Sequence, residues 1–110
     1  MSEFVFLYRG GQRPQGPADV ANLQKWAAWL EELAAKGHLK ERGQPLDDGG
    51  TVVRDRAGST TDGPYAESKD IVVGFTIVEA TDLAQASALA KGCPIFENGG
   101  LVEVRPVLKM

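Results

Sequence analysis

Ile71-Val72-Val73-Gly74-Phe75-Thr76-Ile77-Val78 is the stretch that decides the fold, because this nearly unbroken run of apolar and small residues predicts the strongest strand in the chain. Successive side chains of a strand point to opposite faces of a sheet. The odd-numbered residues of this run therefore share one face, and the even-numbered residues share the other. Gly74 leaves room for the close approach of another backbone or of a large side chain.

A polar stretch, Thr61-Asp62-Gly63-Pro64-Tyr65-Ala66-Glu67-Ser68-Lys69, lies directly before this strand. It places two carboxylates, a phenol and an ammonium group around a rigid Gly-Pro turn, which could build a small polar site at the edge of a sheet. Asp62 could act as a general base if partial burial raised its pKa toward neutrality. An aspartate before Gly-Pro is also typical of a tight turn, in which it bonds to nearby backbone amides.

Five further residues are candidates for ligand binding. Glu67 and Lys69 would point the same way on an extended chain and could bind a polar ligand together, or Lys69 could hold an anionic substrate. The alternative is a solvated ion pair that contributes little. Tyr65 could donate its hydroxyl into a cleft or simply pack over the turn. Arg9 and Arg105, at the ends of two predicted neighbouring strands, could form a fork for a carboxylate or could be solvated.

The sequence pattern on both sides of this strand predicts that the elements of the chain follow the order β-α-β-β-β-α-β. Glu3–Arg9 alternates in strand period with apolar residues on both faces. Pro17 suits the first position of a helix, and Gly37 is a good C-terminal stop for it. Asp82 predicts the N-terminal cap of a second helix. Residues 101–105 are predicted to form the last strand.

The middle of the chain predicts a β-hairpin, in which residues 38–46 and 51–54 pair through the turn Asp47-Asp48-Gly49-Gly50. If this hairpin is an addition after helix 1, the remaining order is that of an α+β, ferredoxin-like fold with an antiparallel sheet and two helices on one face. The other face would then leave a large apolar patch in water. We therefore expect a two-fold homodimer that packs sheet on sheet.

Composition narrows the class of protein. A chain of 110 residues is one domain of ordinary size, spanning 1–110. Its net charge of -3 argues against direct binding of nucleic acid. No apolar run reaches the roughly 18 residues of a membrane span, and no signal peptide precedes Phe4. One histidine and one cysteine cannot supply a typical zinc site. We expect a soluble, cytoplasmic protein without a metal or cofactor.

Residues 61–70 resemble the signature of the DGPF group of YCII-related proteins, Asp-Gly-Pro-Phe-Ala-Glu-Thr-Lys-Glu. Tyr65 replaces the phenylalanine, Ser68 the threonine and Asp70 the glutamate. Further segments support the resemblance: Gly74-Phe75, Asp82-Leu83, Cys93-Pro94 and Val102 to Pro106. The resemblance implies a dimeric, ferredoxin-like α+β fold with a cleft near the subunit interface.

The same resemblance implies three interpretations of function. The wider family is thought to carry a His-Asp pair in the cleft, and one branch performs a dehydrochlorination on an aromatic ring. Asp62 matches the aspartate, whereas Trp26 falls where the histidine would lie. The chain is then a module that binds a small polar or aromatic molecule in a cleft near the turn at residues 62–65. Alternatively it is a lyase or dehydrochlorinase-like enzyme, with Asp62 as acid/base, Tyr65 as donor and Lys69 as anion anchor. A third interpretation is a regulatory partner linked to an alternative sigma factor, since DGPF-type proteins are encoded beside such factors.

Overall fold

The computed structural model describes residues 1–11, 17–58, 60–63 and 70–110, and for residues 17–19 it describes the backbone alone. None of the helices in these ranges is long and apolar enough to cross a membrane. The elements in chain order are β1 (Ser2–Arg9), α1 (Pro17–Ala35), β2 (Leu39–Glu41), β3 (Thr51–Val53), β4 (Thr60–Asp62), β5 (Val72–Ala80), α2 (Leu83–Ala90), a 3-10 helix (Pro94–Asn98) and β6 (Leu101–Pro106).

The main sheet has four strands in the order β2-β5-β1-β6, and all its neighbours are antiparallel. This is the strand order of the ferredoxin-like fold, so the predicted α+β class is confirmed. The two strands with apolar residues on both faces, β1 and β5, lie in the middle of the sheet. Their register pairs Phe4 with Val78 and Tyr8 with Gly74.

The core lies between one face of the sheet and the two helices. Phe6 and Val78 have no exposed surface. From α1, the Trp29 ring stacks on Phe6 with ring centroids 6.1 Å apart, and Leu33 is buried beside it. Ala86 of α2 is fully buried, because a side chain this small lets the helix lie close to the sheet. Both helices cover the same face, as predicted.

The opposite face of the sheet, which we call the open face, carries a second apolar set. Val5 and Leu7 of β1 pair directly with Ile77 and Phe75 of β5, and all four side chains are partly buried. This is the face on which we expected a second subunit, and the homodimer stays a prediction.

The C-terminal end of α1 and the N-terminal end of α2 follow the signals in the sequence. Gly37 has a φ of 79°, and His38 N donates to the carbonyl of Leu33 at 2.9 Å, which together form a Schellman ending for α1. At the start of α2, Asp82 accepts a hydrogen bond from the backbone N–H of Gln85 at 2.8 Å. Asp82 is therefore the N-cap that the sequence predicted.

An additional hairpin follows helix 1, but its predicted pairing was wrong. Residues 39–46 run along β5 in the main sheet, where Leu46 N donates to the carbonyl of Val73 at 2.8 Å. The hairpin is instead formed by β3 and β4, which pair Thr51 with Asp62 in a separate two-stranded sheet. The turn at residues 47–50 therefore connects the two sheets. Segments of three residues carry too little pattern to specify their partner.

Candidate ligand-binding cleft

A cleft of ≈ 270 Å³ opens between the N-terminal half of α1 and the end of the sheet where β1 finishes and β5 begins. The leucines of α1 are buried to different extents along the helix. Leu33 in the second half of the helix is buried in the core, whereas Leu23 in the first half is 50% exposed and lines the cleft. A cavity of about 150 Å³ is enough to hold benzene, so this space accommodates a molecule with one ring.

Gly74 shapes the floor of the cleft, because it lets two other groups approach β5 closely. A side chain at this position would begin 3.1 Å from the carbonyl oxygen of Gln44 and 3.5 Å from the ring of Tyr8. Pro45 forms an isolated bridge with Gly74. Gly74 was expected to admit another backbone or a large side chain, and the structure places both beside it.

A buried chain of hydroxyl groups crosses this floor. The Tyr8 phenol donates to Thr76 Oγ1 at 2.7 Å, and the Thr76 hydroxyl donates to the carbonyl of Arg42 at 3.0 Å. Burial raises the pKa of Tyr8, which outweighs the opposite effect of the Thr76 hydrogen bond. Tyr8 therefore stays neutral and protonated near pH 7. Because both hydroxyl protons are already donated, the chain offers only lone pairs to a ligand.

An aromatic wall stands over the same floor. The ring of Trp26 meets Tyr8 edge to face, with centroids 4.7 Å apart and an interplanar angle of 88°. Trp29 meets Trp26 in a similar arrangement at 5.9 Å. Trp26 is half-buried and lines the cleft. Such a wall favours a planar apolar ligand.

Two asparagines at the far end of the cleft were missed by sequence reasoning. Asn22 of α1 is 7% exposed, and its amide donates to the carbonyl of Pro94 at 3.4 Å. Asn98 donates to Asn22 Oδ1 at 3.0 Å. An asparagine in the middle of a helix is unfavourable unless its side chain has a partner, and Asn22, four residues before Trp26, carried that signal.

Arg42 is the one charged residue among the described residues that line the cleft. It is exposed, and its carbonyl is fixed by Thr76. The described part of the lining holds no carboxylate and no histidine that could transfer a proton. In the same part of the chain, no three His, Cys, Asp or Glu residues are grouped as a metal site would require.

The predicted catalytic residue, Asp62, does not line this cleft. It lies at the end of β4, is exposed, and has its backbone paired with Thr51. The predicted partners Tyr65, Glu67 and Lys69 lie outside the described residues. Their roles stay predictions, and within one subunit the structure does not bring Asp62 to the cleft.

The two arginines of the predicted carboxylate fork lie on neighbouring strands but are not brought together. Arg9 pairs with Leu101, whereas Arg105 pairs with Val5, four residues before Arg9 in β1. In antiparallel strands the two C-terminal ends lie at opposite ends of the pair, so residues that each end a strand are separated. Arg9 Nε also forms an ion pair with Glu103 at 2.8 Å, and its Nη1 donates to the carbonyl of Asp70 at 2.7 Å.

The fold and the cleft define a small ferredoxin-like domain with an apolar, ring-sized cleft. The model of the YCII-related domain matches residues 4–110, so the chain belongs to the YCII-related family. One similar solved structure is 5-chloro-2-hydroxyhydroquinone dehydrochlorinase (TftG) from Burkholderia phenoliruptrix AC1100, in complex with 2,5-dihydroxybenzoquinone. The likeness has a TM-score of 0.56 at 20% sequence identity and covers 98% of this chain and 95% of that one. No curated protein sequence matched the chain.

Proposed function

We propose that the protein binds a small one-ring molecule in the cleft between α1 and the sheet. The observation that carries this proposal is the pairing of an aromatic wall, Trp26 over Tyr8, with a buried floor that offers hydrogen-bond acceptors. A concave, mainly apolar site with a few convergent polar groups is the usual form of a small-molecule site. The ring-shaped ligand in the similar dehydrochlorinase structure agrees with the size of this cleft.

A thermal-shift screen with phenols, quinols and small organic acids tests this proposal. We expect at least one single-ring compound to raise the melting temperature, because a ligand that binds only the native state stabilises it. Trp26→Leu should remove most of that shift. Leu83→Ala, on the exposed start of α2 away from the cleft, should leave it unchanged. A screen in which no ring compound stabilises the wild-type protein would contradict the proposal.

An enzyme is the second candidate, and the observation that favours it is the likeness to a dehydrochlorinase. Because Asp62 is exposed and lies away from the cleft of its own subunit, acid/base catalysis by this residue requires the β3–β4 hairpin of a second subunit. Chloride release from a chlorinated hydroquinone is the direct assay. Asp62→Asn should abolish turnover and preserve binding, and unchanged turnover would exclude this role.

The homodimer is a further part of the proposal. The open face supports it, because Leu7, Phe75 and their neighbours form an apolar patch that a second copy would shield from water. Residues 61–70 support placement in the DGPF group within the family. A cytoplasmic location and a link to an alternative sigma factor stay predictions.

A further inference from the structure

We propose that the ligand of the cleft is a small aromatic carboxylate whose negative charge is bound by Arg42. This inference rests on the proposed function, because it names the chemical class of the molecule that the cleft binds. It assigns a specificity-determining role to a residue that the sequence patterns did not single out.

The charged residues around the cleft favour an anionic ligand. Arg42 is the one charged residue in the described part of the lining, and it is exposed at the rim. No described carboxylate forms an ion pair with its guanidinium. The adjacent acid, Glu41, instead accepts a hydrogen bond from the backbone N–H of Gly43 at 3.0 Å. An arginine without an acidic partner beside an apolar site favours an anionic ligand.

The backbone around Arg42 holds this residue at the rim of the cleft. Thr76 donates to its carbonyl from the buried floor. Gly43, the next residue, has a φ of 78° and passes so close to the carbonyl of Phe75 that no side chain fits there. The segment is therefore fixed against β5. A fixed backbone limits the space that the guanidinium samples, and this lowers the entropic cost of binding an anion.

The floor gives the ligand its orientation. Tyr8 and Thr76 have donated their protons and offer lone pairs only, so a carboxylate cannot bind at the floor. The apolar ring then lies against Trp26, with its charged group directed outward to the rim. A hydroxyl on the opposite side of the ring could donate to Tyr8. A para-hydroxylated aromatic carboxylate fits these demands.

Calorimetric titration with 4-hydroxybenzoate, benzoate and benzamide tests the inference. Benzoate and benzamide have nearly the same shape and differ in charge. We expect the wild-type protein to bind benzoate at least about tenfold more tightly than benzamide, as a hydrogen bond to a charged group contributes that much. Arg42→Gln should remove this preference, and Arg56→Gln, which removes an exposed charge from the turn after β3, should preserve it.

The outcomes separate this inference from the proposed function. If benzamide and benzoate bind the wild-type protein equally, or if Arg42→Gln keeps the preference, the inference fails and the proposed function stands. If no ring compound binds, both fail. A salt titration of the wild-type protein needs no variant to fold: affinity for benzoate should fall with ionic strength while affinity for benzamide stays constant. Equal salt dependence of the two compounds would also overturn the inference.

Discussion

Tyr8 connects the core to the cleft, because its ring packs against both tryptophans while its hydroxyl begins the buried chain to Thr76. We expect Tyr8→Phe to lower the free energy of unfolding by about 1 kcal/mol, the typical contribution of one buried hydrogen bond. Chemical denaturation measures this change. In a double-mutant cycle with Thr76→Val the two losses should be less than additive. Additive losses would show that the two hydroxyls are not coupled.

The thiol of Cys93 should make the stability of the protein depend on pH. Burial raises the pKa of its thiol from 9.0 to about 12. Between these values the thiol ionises in the unfolded chain but stays protonated in the native protein, so the unfolded state binds fewer protons and stability falls as pH rises. Above pH 9 the ionisation of this thiol should lower the free energy of unfolding by up to about 1.4 kcal/mol per pH unit.

The variant Cys93→Ala isolates this effect, because it removes the thiol and keeps the other titrating groups. We expect the difference in unfolding free energy between wild type and variant to shrink as pH rises from 8 to 10. Parallel curves over that range would contradict the predicted titration.

The Schellman ending of α1 depends on a backbone conformation that favours glycine. Gly37 has a φ of 79° and open space where a Cβ would lie, so Gly37→Ala changes backbone strain alone. We expect a loss of about 1–2 kcal/mol in unfolding free energy. Gly49→Ala is the matched control, since Gly49 also has open space and lacks a positive φ. Equal effects of the two changes would refute this explanation.

The elements also show how far sequence patterns reach. Periodicity predicted β1, β5 and both helices, because each is long enough to repeat its pattern several times. It could not predict that β3 pairs with β4, because segments of three residues repeat no pattern. It also could not predict that the first half of α1 contacts the 3-10 helix, because this depends on residues distant in the chain, such as Asn22 and Pro94. The same limit applies to the site. The sequence singled out Trp26 of the cleft. It gave no sign of the contact between Arg42 and Thr76, because the two residues lie far apart in the chain and come together only in the folded sheet.

The open face is the surface through which the proposed homodimer would assemble. We expect the wild-type protein to elute with the mass of a dimer in size-exclusion chromatography with light scattering. Leu7→Asp should convert it to a monomer, because it buries an unpaired charge in the shielded face. Leu83→Asp, on the exposed start of α2, is the matched control and should keep the wild-type mass. A monomeric wild type at micromolar concentration would contradict the proposal.

In the described residues, β3 and β4 are hydrogen-bonded to each other and to no strand of the main sheet. Peptides inserted between Ala57 and Gly58 would therefore lengthen an exposed loop and leave the register of β1, β5 and β6 intact. Loops of this kind tolerate insertions at a small entropic cost. A chain of this design can acquire new recognition segments at one end, by natural or laboratory evolution, while the body that holds the cleft keeps its sequence.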